Sequence, residues 1–125
     1  MTHEGYDISA SEWEIMNTIW NKKLISANDV IEIVQQRKEW SPKTIRTLIN
    51  RLYKKKFIDR ISRNKIFEYF PRVEEKDMKY KTSKVFLDKV YEGGLNSLVL
   101  NFVENEELSE DDIEELKNIL NTKKD

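Results

Sequence analysis

Ser41-Pro42-Lys43-Thr44-Ile45-Arg46-Thr47-Leu48-Ile49-Asn50-Arg51-Leu52-Tyr53-Lys54 is the stretch whose reading decides the fold. Ser41 offers its hydroxyl to the first free N–H groups of a helix, and Pro42 fits the first helical position, where its missing N–H costs nothing. At about 100° per residue, Ile45, Leu48, Ile49 and Leu52 fall on one side. Lys43, Thr47, Asn50 and Lys54 form the opposite ridge, flanked by Arg46 and Arg51, with Thr44 in the first turn. One face packs; the other presents cations, an amide and hydroxyls. Those groups suit a helix that reads the major groove: Arg and Lys neutralise phosphates or donate to guanine, Asn pairs with adenine, and Thr brings a hydroxyl and a methyl for thymine. A solvated amphipathic helix has the same composition, so the surroundings must decide.

The surroundings are strongly basic. A net charge of −1 over 125 residues conceals an asymmetry: residues 1–40 sum to −3, residues 41–72 to +8 and residues 73–125 to −6. The whole-chain value argues against nucleic acid and the distribution argues for it.

Upstream of the decisive stretch, Ser9 followed by Glu12 is a capping box opening a helix to about residue 23, with Trp13, Ile15, Met16, Ile19 and Trp20 as its apolar stripe. Leu24 and Ile25 form a minimal strand. Ser26 then caps a second helix to about residue 38, with Ala27, Val30, Ile31 and Val34 inward. Glu39-Trp40 is a turn short enough to make helices two and three a helix-turn-helix, with Trp40 anchoring the corner. Downstream, residues 57–71 change period: Ile66, Glu68 and Phe70 alternate against Phe67 and Tyr69, and Ser62-Arg63-Asn64 supplies a turn. Three helices followed by a hairpin carrying Arg60, Arg63 and Lys65 make a winged helix, in which the helix reads a groove and the wing grips the adjacent backbone.

Pro71 closes the hairpin and sets a domain boundary, giving a winged-helix DNA-binding domain over 1–72 and a helical dimerisation domain over 73–125. The second domain holds a helix from about 74 to 91 through Met78, Thr82, Val85, Phe86 and Val90, ended at Gly93-Gly94. An apolar helix with Leu95, Leu98, Val99, Phe102 and Val103 follows. A last helix, capped by Ser109 with Asp112, runs from 110 to about 121 with Ile113, Leu116, Ile119 and Leu120 inward. About 50 residues with so much apolar surface and no covalent staple do not bury it alone. A second copy covers it, and a two-fold dimer presents two recognition helices to a pseudo-palindrome. The fold class is mainly α with a small β contribution.

Other functions find little support. The single histidine, His3, lies in a terminal segment, cysteine is absent, and no phosphate loop occurs. The carboxylates Glu104, Glu106, Glu107, Glu110, Asp111 and Asp112 read as a solvated helix start rather than as an acid/base pair or a metal site. No catalytic residue, metal or cofactor is expected. No apolar run reaches the roughly 20 residues that span a bilayer, and the first residues lack signal-peptide regions, so membrane insertion is not expected and the location is cytoplasmic. A winged helix used only for protein contact is the main alternative; a ligand-responsive repressor is another, with no pocket identifiable from sequence.

Residues 41–49 with Arg51-Leu52-Tyr53-Lys54-Lys55, the early Ala10-Ser11-Glu12-Trp13-Glu14-Ile15-Met16 and the late Asn96-Ser97-Leu98-Val99-Leu100-Asn101-Phe102-Val103 resemble the BlaI/MecI family of penicillinase and methicillin-resistance repressors over nearly the whole chain. The resemblance implies a homodimeric winged-helix repressor on operator DNA with TACA/TGTA-type dyads, controlling a beta-lactamase or penicillin-binding protein operon. It also implies inactivation through a beta-lactam sensor-transducer protease pathway, with the matching cut at Asn101–Phe102. Lys56 stands where relatives carry glycine, so the entry to the wing is expected to differ there.

Overall fold

The structure, a computed structural model, describes residues 8–124; His3 and the start of the chain lie outside the described residues. Helix α1 (Ala10–Lys22) opens on the expected capping box, in which the Ser9 hydroxyl accepts from the Glu12 N–H and the Glu12 carboxylate accepts from the Ser9 N–H. Strand β1 (Ile25–Ser26) leads into α2 (Ala27–Gln35), where the Ser26 hydroxyl accepts from the Asp29 N–H. This helix ends before residue 38 because the Gln36 and Arg37 N–H groups turn to the Ile33 and Val34 carbonyls three residues back, tightening the last turn. Helix α3 (Pro42–Lys54) begins as the sequence indicates, with the Ser41 hydroxyl accepting from the Thr44 N–H at 3.1 Å. The wing is β2 (Ile58–Arg63) and β3 (Ile66–Pro71), antiparallel. Three helices complete the chain: α4 (Glu75–Val90), α5 (Leu95–Glu104) and α6 (Glu110–Lys124).

The sheet has the order β1-β3-β2, with Ile25 opposite Tyr69 and Arg63 opposite Ile66. That register puts the turn at Asn64-Lys65, one step beyond the Ser62-Arg63-Asn64 read from sequence. Both turn residues have positive φ, 52° and 67°, the two-residue mirror-image turn whose twist matches the strands it joins.

The exit from α3 explains the odd residue at 56. The Phe57 N–H bonds the Leu52 carbonyl and the Lys56 N–H bonds the Tyr53 carbonyl, while Phe57 and Leu52 are both buried. This is a Schellman ending, and it places Lys56 at φ 68°, the left-handed position that glycine fills without strain. The backbone keeps that geometry with lysine there, at a cost of about 1–2 kcal/mol.

One core joins these pieces. Ile15, Met16 and Ile19 of α1, Val30, Ile31 and Val34 of α2, and Ile45, Leu48, Ile49 and Leu52 of α3 meet Phe57, just before β2, and Ile58 and Tyr69 of the sheet. Each large aliphatic side chain buried this way contributes about 1.5–3 kcal/mol, so α3 is held by all four of its inner residues. The described residues divide into two compact units between Ser83 and Lys84, inside α4. The first unit takes in the start of α4 because Met78 is buried and the Trp20 indole N–H donates to the Val73 carbonyl at 3.0 Å.

Glu12 joins two ends of the first unit. Besides capping α1 it receives the Lys55 ammonium at 2.9 Å, just beyond α3, and it is 1% exposed. Burial pushes its pKa up, but the Ser9 backbone N–H, the Lys55 hydrogen bond, the Ser9 hydroxyl and the Lys55 charge together outweigh burial and hold it below the ordinary 4.5. A depressed folded-state pKa contributes stability that is complete above the unfolded value and is lost as pH falls through the folded one. Glu12→Gln is expected to cost about 1–2 kcal/mol at pH 7. The gap to wild type should shrink below about pH 4.5, read by urea unfolding at neutral and acid pH.

The second unit is organised differently. Gly94 caps the start of α5 at φ 74°, a conformation that favours glycine. A reciprocal pair of bonds between Ser109 and Asp112 opens α6. Among the residues whose burial is described, neither α5 nor α6 holds a buried one. The stripe expected to face inward on α6 is only half-covered at Ile113, and Leu116, Ile119 and Leu120 are exposed. An apolar groove of about 570 Å³ runs between α5 and α6, lined in part by Leu95, Val99, Ile113, Leu116 and Leu120.

Candidate nucleic-acid interface

The interface follows from how α3 is held. With Ile45, Leu48, Ile49 and Leu52 packed inward, the remaining face of the helix must point outward, and Lys43, Thr44, Arg46, Thr47, Asn50, Arg51 and Lys54 are all exposed. Lys43, Asn50, Arg51 and Lys54 have side chains without a hydrogen-bond or ion-pair partner among the described residues. The Thr44 hydroxyl accepts from the Ser41 hydroxyl. The Thr47 hydroxyl donates to the Lys43 carbonyl at 2.9 Å, so its methyl and lone pairs are what remain for a ligand. At the N-terminal end of the ridge, the Arg46 guanidinium donates to the Asn28 side-chain oxygen at 2.9 Å.

Asn28, the partner of Arg46, is not singled out by the sequence. It is the second residue of α2, exposed, and it touches a residue 18 positions away. The available signal was its place beside the Ser26 cap, since the start of the first helix in a helix-turn-helix approaches the reading helix.

The wing residues separate into two groups. Arg63 and Lys65 are exposed at the tip, Lys65 within the turn. Arg63 has Nε 3.3 Å from the Glu68 carboxylate, and Glu68 is half-buried while Arg63 is exposed. Arg60 is placed elsewhere. Its guanidinium carbon lies 4.2 Å from the centre of the Tyr53 ring and 3.9 Å from that of Phe67. Its already high pKa is raised further, chiefly by the Tyr69 side chain that stands opposite it in the sheet.

In the second unit, Asn101 and Phe102 lie in the body of α5 and both are exposed. The Asn101 side-chain amide donates to the Tyr91 hydroxyl at 2.9 Å, and the Asn101 carbonyl accepts from both the backbone and the side-chain N–H of Asn105. Of the apolar residues assigned to dimerisation, Val85, Leu98, Val99 and Ile113 are half-buried and Phe86, Leu95, Phe102, Leu116, Ile119 and Leu120 are exposed.

Residues 8–122 match the model of a family described as penicillinase repressor, which covers both units. The chain belongs to the penicillinase repressor family. Within that family it is 67% identical over 123 residues to the methicillin resistance regulatory protein MecI of Staphylococcus aureus strain N315, covering 98% of this chain and all of the relative. It is 51% identical to the penicillinase repressor of Staphylococcus aureus, over 97% of this chain and 96% of that one. Among solved structures, Bacillus licheniformis BlaI, in its monomeric form in complex with the blaP half-operator, aligns with a TM-score of 0.50 and 38% identity. It covers 56% of this chain and 85% of that one. The winged helix is thus the penicillinase-repressor fold, and the described residues contain no helix long and apolar enough to cross a membrane.

Proposed function

We propose that this protein is a dimeric, sequence-specific transcriptional repressor that works in the cytoplasm, occupying operator DNA with TACA/TGTA-type dyads and holding down beta-lactam resistance genes. The observation that carries the reading is the exposed polar ridge of α3, backed by four buried aliphatic residues and followed by a basic wing tip in the same compact unit. Residues 1–72 read the DNA and residues 73–125 pair two copies. The exposed apolar residues of α5 and α6 support the pairing, because surfaces of that kind mark an interaction site and a second copy satisfies it with two-fold symmetry. The protein acts by occupancy rather than by catalysis. Its release comes through a beta-lactam sensor-transducer protease pathway that cuts Asn101–Phe102 and separates α6 from the rest of the dimerisation domain.

The test is titration onto a duplex with two TACA/TGTA half-sites beside one with both half-sites scrambled, at physiological salt. Operator binding about 10³-fold or more tighter is expected; equal, salt-sensitive binding to both would remove the reading. In the same assay Asn28→Ala is expected to weaken operator binding by about two- to fivefold, because Arg46 keeps its charge and loses a hydrogen bond worth about 0.5–1 kcal/mol that orients it. Its thermal melting should stay within a degree or so of wild type, since surface changes of this type are nearly neutral for stability.

A further inference from the structure

We propose that Arg60 is a positioning residue that fixes the wing against the reading helix, and that it acts on DNA through the wing tip rather than by touching a phosphate. The inference rests on the DNA-binding reading above and assigns Arg60 a role different from that of Arg63 and Lys65.

The geometry is that of a clamp. Tyr53 belongs to the last turn of α3, whereas Phe67 and Tyr69 belong to β3. The Arg60 guanidinium carbon lies 4.2 Å from the centre of the Tyr53 ring and 3.9 Å from that of Phe67. In the strand register Arg60 stands directly opposite Tyr69, and Ser62 opposite Phe67, so Phe67 is the diagonal neighbour that shares a face with Arg60. Tyr53 and Tyr69 meet edge to face, 6.4 Å apart. A planar guanidinium is the cation able to stack on two rings at once. Stacking on rings from α3 and β3 fixes the plane of the guanidinium, and with it the place of β2 beside the end of α3.

Phe67 gives the second observation. It is 46% exposed on the wing, a poor place for a phenyl ring unless the ring has a partner, and its partner is Arg60. The clamp therefore joins the C-terminal end of the reading helix to both wing strands, three residues before Arg63. A wing held in place before binding does not have to be ordered on the DNA, which conserves affinity.

The test uses the full chain and four variants: Arg60→Ala, Phe67→Leu, the tip pair Arg63→Ala with Lys65→Ala, and the triple change of Arg60 with that pair. Arg60→Ala and Phe67→Leu are each expected to weaken operator binding by about tenfold through lost preorganisation. The triple variant is expected to bind within about twofold of the tip pair, because residues that act through one another are not additive. Without DNA, hydrogen exchange of the amides in residues 58–71 should accelerate in Arg60→Ala and Phe67→Leu while those of α1 to α3 stay protected. An Arg60→Ala loss that multiplies with the tip-pair loss, beside Phe67→Leu at wild-type affinity, would make Arg60 a direct phosphate contact and overturn the proposal. Unchanged affinity in both single variants would overturn it as well. If the wild-type protein showed no operator preference, the functional reading would fail; exchange of the hairpin amides would still decide whether the clamp exists, and unchanged exchange would end it.

Discussion

Removing residues 102–125 is expected to lower affinity for a two-half-site operator by about 10²–10⁴-fold, because the second head is then no longer delivered at the effective concentration that linkage provides. The deletion takes away Phe102, Val103 and all of α6, including Ile113, Leu116, Ile119 and Leu120. These are apolar residues that the single chain leaves half-covered or exposed. The core of α1, α2, α3 and the sheet keeps every residue it had, so the truncated chain should show the helical spectrum and melting of an intact winged helix. Binding to an isolated half-site should change little, since the ridge of α3 is untouched. Sedimentation and titration together check this. A truncated chain that remains a dimer and binds the operator as tightly as the full one would contradict the proposed inactivation.

Arg46→Ala should give the second large effect, and of a different kind. A bidentate contact to a base edge is worth about 1–3 kcal/mol of discrimination, and a dimer loses it in both half-sites. Operator affinity is therefore expected to fall by about 10²-fold or more, with a much smaller change on random DNA. Thr47→Ala should follow the same pattern more weakly, through the methyl that its backbone-bonded hydroxyl leaves outward. Arg63→Ala or Lys65→Ala should weaken operator and random duplex alike and reduce the salt slope by about one for each phosphate that is no longer neutralised. Competition titrations at two salt concentrations separate the two patterns. Equal losses on both duplexes for all four substitutions would remove the division of labour between helix and wing.

The parts of this protein legible in its sequence are those determined by near neighbours. The caps at Ser9, Ser26, Ser41 and Ser109 are local chemistry between residues three apart, and the inner face of α3 follows from its period alone. The charge block at 41–72 is legible without any geometry and coincides with α3 and the wing. The turn at Asn64-Lys65 is displaced by one step from its sequence reading because Ser62, Arg63, Asn64 and Lys65 are all plausible turn residues, and only the pairing of Arg63 with Ile66 decides between them. The setting of Arg60 is illegible for a deeper reason. Its neighbours Tyr53 and Phe67 come from a helix and from a different strand, so the stacking cannot be read before the register is known. Likewise the Asn28–Arg46 bond spans two helices. On α6 the period identifies an apolar stripe correctly but carries no information about what covers it.

The measurement that bears most directly on the whole account is the number of subunits bound, with the affinity, on an operator whose two half-sites lie in phase and on one in which a half-site is moved by half a helical turn, about five base pairs. Two subunits are expected to bind cooperatively to the phased dyad, with a fall toward single half-site affinity on the displaced one. Equal affinity on the two duplexes, or one subunit bound to each, would contradict a rigidly paired reader of a two-fold site.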